Sequence, residues 1–146
     1  MSKELELPQS VPVKEQKLLQ KIMSKYSDFT YRTGSKFTFR PPKTIILGPF
    51  EPHYSLLFCH ELGHALSGED HFDTDVERLK IERLAWDKAQ ELCTEFHIPY
   101  DEEFVEEQLD SYRDWLHSKS KCPQCGLTRY QTKNGQYHCP HCDLTV

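Results

Sequence analysis

The sequence predicts an α+β chain that ends in a small cysteine-rich module. Apolar residues recur at helical spacing in four segments, and short β-branched or aromatic runs lie between the first two of them. Two Cys-x-x-C pairs close the chain, at 122–125 and 139–142. We therefore expect a flexible lead-in over 1–13, a globular domain over 14–117 and a cysteine module over 118–146.

The first half of the globular domain is predicted to contain one helix and three strands. Apolar residues from 14 to 26 follow a helical period. Alternating aromatic and polar residues from 29 to 39 predict a hairpin that turns at Thr33-Gly34-Ser35. The run 44–47 is β-branched and ends at Gly48-Pro49, which indicates a further strand.

Three longer helices are predicted after these strands. The first begins near Glu51-Pro52 and ends at Gly68, since proline suits a first turn and glycine a C-terminal stop. The second covers 75–97 and is halted by Pro99. The third covers 101–116, with acidic residues at its start, where the helix dipole favours them.

Composition and charge narrow the class of protein. The 146 residues are 37% apolar, enough for one core, but no stretch reaches the 18 apolar residues of a membrane span. The first residues lack a secretory pattern, so we expect a cytoplasmic chain whose six cysteines are thiols or metal ligands. Residues 51–116 carry eighteen acidic and five basic side chains, a balance of −13. The flanks 1–50 and 117–146 carry +5 and +3, which is compatible with weak contact to nucleic acid.

The motif His60-Glu61-Leu62-Gly63-His64 is the strongest chemical signal in the chain. On a helix, His60 and His64 share a face and can bind one metal ion, while Glu61 is rotated by roughly 100° and can reach a metal-bound water. Two imidazoles and a carboxylate base are the chemistry of a zinc-dependent peptidase. The alternative is a buried helix that merely carries two histidines, but unpaired polar groups in so apolar a run are costly.

A peptidase zinc needs a third protein ligand, and two residues compete for that role. His71 follows His64 by seven residues, one more than in the metzincins, and no methionine lies downstream for their methionine turn. Glu82 is the only charged residue on an apolar stripe of the second long helix, and a metal would compensate its burial. A salt bridge to Arg78 is the other explanation for Glu82.

The motif at 60–64 and the helix segment Ile81-Glu82-Arg83-Leu84-Ala85-Trp86 together resemble the ImmA/IrrE-like compact gluzincins. The resemblance covers roughly residues 14–116, although this chain has Leu84 where the family often has a glutamate. It implies a zincin-type α+β fold, in which a small twisted sheet binds a peptide beside two metal-bearing helices. It also implies a cytoplasmic zinc endopeptidase of phages or mobile elements, acting on proteins such as DNA-bound regulators.

The cysteine module has the spacing of a zinc ribbon. Cys122, Cys125, Cys139 and Cys142 provide a closed four-thiolate site, and Asn134-Gly135 predicts a hairpin turn between the pairs. So small a module needs its metal to fold, so this second zinc is structural. Arg129, Tyr130, Lys133 and Tyr137 could form a small basic and aromatic surface for protein or nucleic acid. A peptidase followed by a ribbon is more weakly similar to the SprT-like layout, which uses a third histidine.

These features predict a zinc metallopeptidase with one catalytic and one structural zinc. His60, His64 and Glu82 hold the catalytic zinc, with His71 as the alternative ligand, and Glu61 is the general base. The residues that could stabilise the oxyanion are His53, His97, Tyr100 and Tyr112. The rival is an adaptor with an inactive peptidase fold that binds protein or nucleic acid through its ribbon.

Overall fold

The computed structural model describes residues 5–68, 72–143 and 145. Within them the chain forms four helices and two small sheets, as an α+β chain should. It divides into two compact units, which split helix α3 between them: Met1–Asp70 with Leu84–Tyr100, and His71–Arg83 with Asp101–Val146. Among the described residues, none of the helices combines the length and apolar character that crossing a membrane requires.

The helices lie close to the predicted segments. They are α1 (Val13–Lys25), α2 (Tyr54–Leu66), α3 (Asp75–Phe96) and α4 (Glu102–Ser120). Helix α4 begins at an N-cap, where the side chain of Asp101 accepts a hydrogen bond of 3.1 Å from the backbone N–H of Phe104. It continues to Ser120, beyond the predicted end at Leu116.

The predicted hairpin over 29–39 is wrong. Its two strands, β1 (Thr30–Thr33) and β2 (Thr38–Arg40), do not pair with each other. Strand β3 (Thr44–Leu47) lies between them, parallel to β1 and antiparallel to β2. The reason is burial: Ile45, Ile46 and Leu47 are buried while β1 is mostly exposed, so the most apolar strand takes the centre of the sheet.

In the first unit, the sheet packs on helix α2. Tyr31 of β1 lies against Phe58, with ring centroids 6.0 Å apart, and Tyr54 meets Phe37 edge-on at 5.3 Å. Leu7 and Val11, in the predicted lead-in, are also buried. The sheet thus supplies part of the apolar surroundings of α2.

The second unit joins the first half of α3 to α4 and to the cysteine module. Within the module, β4 (Tyr130–Gln131) and β5 (Tyr137–His138) form the predicted antiparallel hairpin, with Gly135 at a φ of 85° in its turn. Asp75, the first residue of α3, connects this helix to α4 and to the cysteine module. Its carboxylate accepts a hydrogen bond of 2.5 Å from Tyr137 and pairs with Lys119 at 2.9 Å.

The module also caps helix α3 directly. The backbone N–H of Asp75 donates to the side-chain oxygen of Gln131 at 2.6 Å, which satisfies a group that a helix start otherwise leaves open. Burial alone would raise the pKa of Asp75, but the hydrogen bonds from Tyr137 and Lys119 and the nearby Arg78 together lower it. Asp75 is therefore a buried, paired carboxylate.

Candidate metal centres

Helix α2 is buried along nearly its whole length, as its apolar sequence predicts. Its buried residues include Leu56, Phe58 and Leu62. The polar residues of the motif are buried with them: His60 and Glu61 are 8% exposed and His64 is 7% exposed. Polar side chains at this depth are costly unless they are hydrogen-bonded or bind an ion.

The three motif residues come together as their helical spacing predicts. His60 and His64 lie one turn apart, with ring centroids separated by 4.6 Å. One potential ligand atom from each of His60, Glu61 and His64 lies within 4.8 Å of the others. The Nδ1 atom of His60 is 3.6 Å from a carboxylate oxygen of Glu61. Two imidazoles beside one carboxylate form a donor set that fits a divalent metal ion such as zinc.

Two residues outside the motif hold this group in place. The indole of Trp86 lies flat against the imidazole of His60, with centroids 4.0 Å apart and planes inclined by 5°. Gly63 allows α2 to approach the backbone of α3, since a Cβ there would collide with the carbonyl oxygen of Ala85. Neither role could be predicted from the sequence, because contacts between distant segments leave no local pattern.

The third ligand stays a prediction. Glu82 is buried, 9% exposed, as its place on an apolar stripe predicts. Burial raises the pKa of Tyr112, and the nearby carboxylate of Glu82 raises that pKa further. Glu82 belongs to the second unit, and the competing His71 lies outside the described residues. Among the residues proposed to stabilise the oxyanion, Tyr112 is thus a neighbour of Glu82.

The four cysteines of the module converge as a second candidate centre. The sulfur atoms of Cys122, Cys125, Cys139 and Cys142 all lie within 4.8 Å of one another, and those of Cys125 and Cys139 are 3.6 Å apart. Tetrahedral zinc with Zn–S bonds of about 2.3 Å sets its sulfurs roughly 3.8 Å apart. The spacing therefore fits a single four-thiolate metal site and is compatible with a zinc ribbon.

Backbone N–H groups lower the pKa of one of these thiols, which favours the thiolate form that binds metal. The N–H of Cys125 is the main group that lowers the pKa of Cys122, to about 7. The backbone N–H of Cys142 donates to the sulfur of Cys139 at 3.4 Å. Hydrogen bonds of this kind stabilise thiolates, the form that binds metal.

The two remaining cysteines, Cys59 and Cys93, lie outside the cysteine module. Cys59 and Cys93 are buried in the first unit, as expected of core residues, and a hydrogen bond with Cys93 raises the pKa of Cys59.

Tyr137 is only 4% exposed, and Arg129 lies over its ring at 5.1 Å. Half of the proposed basic and aromatic surface is therefore used inside the second unit, whereas Tyr130 remains exposed.

Comparison with known proteins adds no identification: no protein-family model, curated protein or solved structure matches the chain. The chemistry of the two centres therefore has to be argued from the residues that form them.

Proposed function

We propose that the chain is a zinc-dependent endopeptidase with a zincin-type catalytic domain. The observation that carries this proposal is the buried group of His60, Glu61 and His64 on one helix. A buried helix has no structural need for two histidines and a glutamate so close together, whereas a peptidase centre needs that combination. The resemblance to the compact gluzincins supports the same activity.

The side chains divide the work of hydrolysis between them. His60 and His64 would hold the metal, and the indole of Trp86 keeps the His60 ring in one orientation. Zinc supplies a Lewis acid that polarises a carbonyl and lowers the pKa of bound water. Glu61 takes the proton from the attacking water and later donates it to the leaving amine. The burial of Glu61 limits the access of bulk water to this proton transfer.

Glu82 is our proposed third ligand, because it is a buried carboxylate on the apolar face of α3. A hydrogen bond from the nearby Tyr112 hydroxyl would hold the carboxylate in a fixed orientation, as the supporting partners of metal ligands commonly do. We propose that the four cysteines hold a second, structural zinc, and that the substrate is a protein within the cell, such as a DNA-bound regulator.

The metal content and a single substitution test this function together. Wild-type protein should carry two zinc ions per chain, and it should cleave peptides from a fluorogenic library. Glu61→Gln should keep both zinc ions and lose on the order of 10²–10⁴-fold in rate, because only the general base is removed. Elemental analysis and peptide turnover are the two measurements.

A matched substitution on α4 controls for nonspecific effects. Glu107→Gln removes an exposed carboxylate and should leave both zinc content and turnover unchanged. If the wild-type chain carries only the cysteine-bound zinc, or if Glu61→Gln turns peptides over at the wild-type rate, the peptidase proposal is wrong. The adaptor reading, which requires one zinc, would then be preferred.

A further inference from the structure

A groove open to solvent lies between the first half of α3 and α4, within the second unit. Its volume is about 250 Å³, and its lining is formed by Val76, Leu79, Lys80, Arg83, Leu109 and Arg113. None of these residues belongs to the two candidate metal centres. The volume is below the roughly 300–1,000 Å³ of small-molecule sites, so the groove suits one apolar side chain better than a cofactor.

The charge of this groove contrasts with that of the surrounding chain. Residues 51–116 contain only five basic side chains against eighteen acidic ones, and three of those five line the groove. The other two basic residues have partners elsewhere: Arg78 lies over the ring of Trp115 at 5.4 Å, and Lys88 pairs with Glu91 at 2.9 Å. The groove is therefore where this acidic segment concentrates its positive charge.

Two of the three basic side chains are not held in ion pairs within the described part of the chain. Lys80 and Arg83 are exposed and one turn apart on α3, and neither has a carboxylate partner among the residues that the structure describes. Arg113 is different, because Glu106 and Asp110 both hold its guanidinium, each at 2.9 Å. These two carboxylates offset part of the charge at one end, so the free positive charge lies on the α3 side.

The apolar residues of the groove differ in their exposure. Val76 is 62% exposed although it stands in the first turn of α3, while Leu109 of α4 is 4% exposed. Leu79 and Lys80 follow Val76 by three and four residues, and Arg83 follows them by four and three, so the four residues form one stripe along the helix. The stripe runs from an apolar end to a cationic end.

We propose that this groove docks an acidic segment of a partner protein. One apolar side chain of the segment would lie on the floor formed by Val76, Leu79 and Leu109, and neighbouring carboxylates would pair with Lys80 and Arg83. A phosphate backbone is a poorer occupant, because it has no apolar side chain to place on the apolar floor. The proposal concerns binding alone and does not depend on the peptidase activity.

The test uses the full-length chain and a labelled probe. The probe is a fluorescein-labelled peptide in which one leucine stands between two pairs of glutamates, and binding is followed by fluorescence anisotropy. We expect saturable binding that weakens with added salt, because exposed charges are screened. A peptide with serine in place of leucine, and one with lysines in place of the glutamates, should each bind less tightly.

Matched variants of the protein locate the site. Lys80→Glu/Arg83→Glu should weaken binding on the order of tenfold or more, because two exposed ion pairs become repulsive. Val76→Ser should weaken it through the apolar floor, with the charge unchanged. The control is Lys14→Glu/Lys17→Glu, which reverses two exposed lysines with the same spacing on α1 and should leave the affinity unchanged.

The proposal would be overturned by any of three results. These are an equal loss of affinity in the α1 control, equal binding of the serine and leucine peptides, and tighter binding of a single-stranded oligonucleotide or a fatty acid than of the acidic peptide. Because Lys80, Arg83 and Val76 are exposed, the variants should fold, and circular dichroism checks this directly. The peptide series tests the same idea on the wild-type chain alone.

Discussion

The imidazole of His60 lies parallel to the indole of Trp86, with 4.0 Å between the ring centroids. This contact joins α2 to α3 within the first unit. It also ties a proposed metal ligand to one of the largest fully buried side chains of the protein. The orientation of His60 therefore depends on a residue 26 positions away in the sequence.

Replacing Trp86 should separate stability from metal binding. Trp86→Ala should destabilise the fold by about 3–5 kcal/mol, because it leaves a large cavity in the core. Trp86→Phe keeps an aromatic ring against His60, so it should lose less stability and retain more zinc. Urea unfolding and elemental analysis measure the two effects. Zinc content in Trp86→Ala equal to wild type, in protein that is still folded, would argue against a positioning role for Trp86.

A methyl group at Gly63 should be harmful although alanine is the better helix former. The carbonyl oxygen of Ala85 occupies the space that a Cβ would need, so α2 and α3 must move apart. We expect Gly63→Ala to destabilise the fold by about 1–3 kcal/mol, as overpacked cores do, despite a propensity gain of about 1 kcal/mol. Denaturant midpoints with and without zinc measure the effect.

Gly68→Ala is the control for Gly63→Ala. Gly68 has a φ of 66° and nothing within 4 Å of its would-be Cβ, so its substitution strains the backbone without crowding the helices. It should lower stability and leave zinc binding at the motif unchanged. If both variants lose zinc equally, the close approach of Gly63 to Ala85 is not what fixes the motif.

Three single substitutions on or before α3 decide the third ligand. Glu82→Ala should release the zinc bound at the motif and leave the cysteine-bound zinc in place, because a buried ligand is removed. Glu77→Ala removes an exposed carboxylate of the same helix and should release neither ion. His71→Ala should behave like Glu77→Ala. Elemental analysis of all three variants suffices, and zinc loss in His71→Ala with retention in Glu82→Ala would reverse our assignment.

Local spacing predicted the parts of this protein that depend on a few consecutive residues. The turn of helix between His60 and His64, the buried position of Glu82 and the hairpin of the cysteine module all follow from periods of two to four residues. The same arithmetic predicted the four helices to within a few residues. The N-cap at Asp101 was not among these predictions: Asp101 was expected inside the helix, and the acidic start of the helix was attributed to the helix dipole.

Contacts between segments that are distant in the sequence could not be predicted from local residue spacing. Pairing β1 with β2 requires only a short turn, and the sequence offered one at Gly34. The observed order places β3 in the centre because its three apolar residues need cover on both sides. The stacking of Trp86 on His60 and the capping of α3 by Gln131 likewise depend on packing that no local pattern records.

A double-mutant cycle measures the coupling energy between Asp75 and Tyr137. Asp75→Asn, Tyr137→Phe and the double variant should give a coupling energy of about 1–3 kcal/mol, because a hydrogen bond to a buried charged group is at stake. The pKa of Asp75 is lowered in the folded chain. Its contribution is therefore fully present above the unfolded pKa of about 3.9 and is lost as the pH falls through the folded value.

The cycle should accordingly be measured at pH 7 with zinc present, where Asp75 is ionised and the thiolates are not competing with protons. Arg113→Ala serves as the control pair with Tyr137→Phe, since Arg113 contacts Glu106 and Asp110 on the exposed face of α4. That second cycle should be additive. A coupling energy near zero between Asp75 and Tyr137 would mean that their 2.5 Å contact adds nothing to stability.

Removal of the cysteine module tests whether it supports the helices. A chain ending at Ser120 keeps all of α4, including Lys119, but loses Gln131 and Tyr137. Asp75 then loses the acceptor for its backbone N–H and the hydroxyl that donates to its carboxylate. We expect the loss of a cap, about 1 kcal/mol, and of a charged hydrogen bond, about 1.5–3 kcal/mol, to lower the free energy of unfolding. Gln131→Ala/Tyr137→Phe in the full chain should reproduce that loss with the cysteine-bound zinc retained. Hydrogen exchange at the first turn of α3 follows both variants, and unchanged protection in the shortened chain would show that the module folds beside the helices without bracing them.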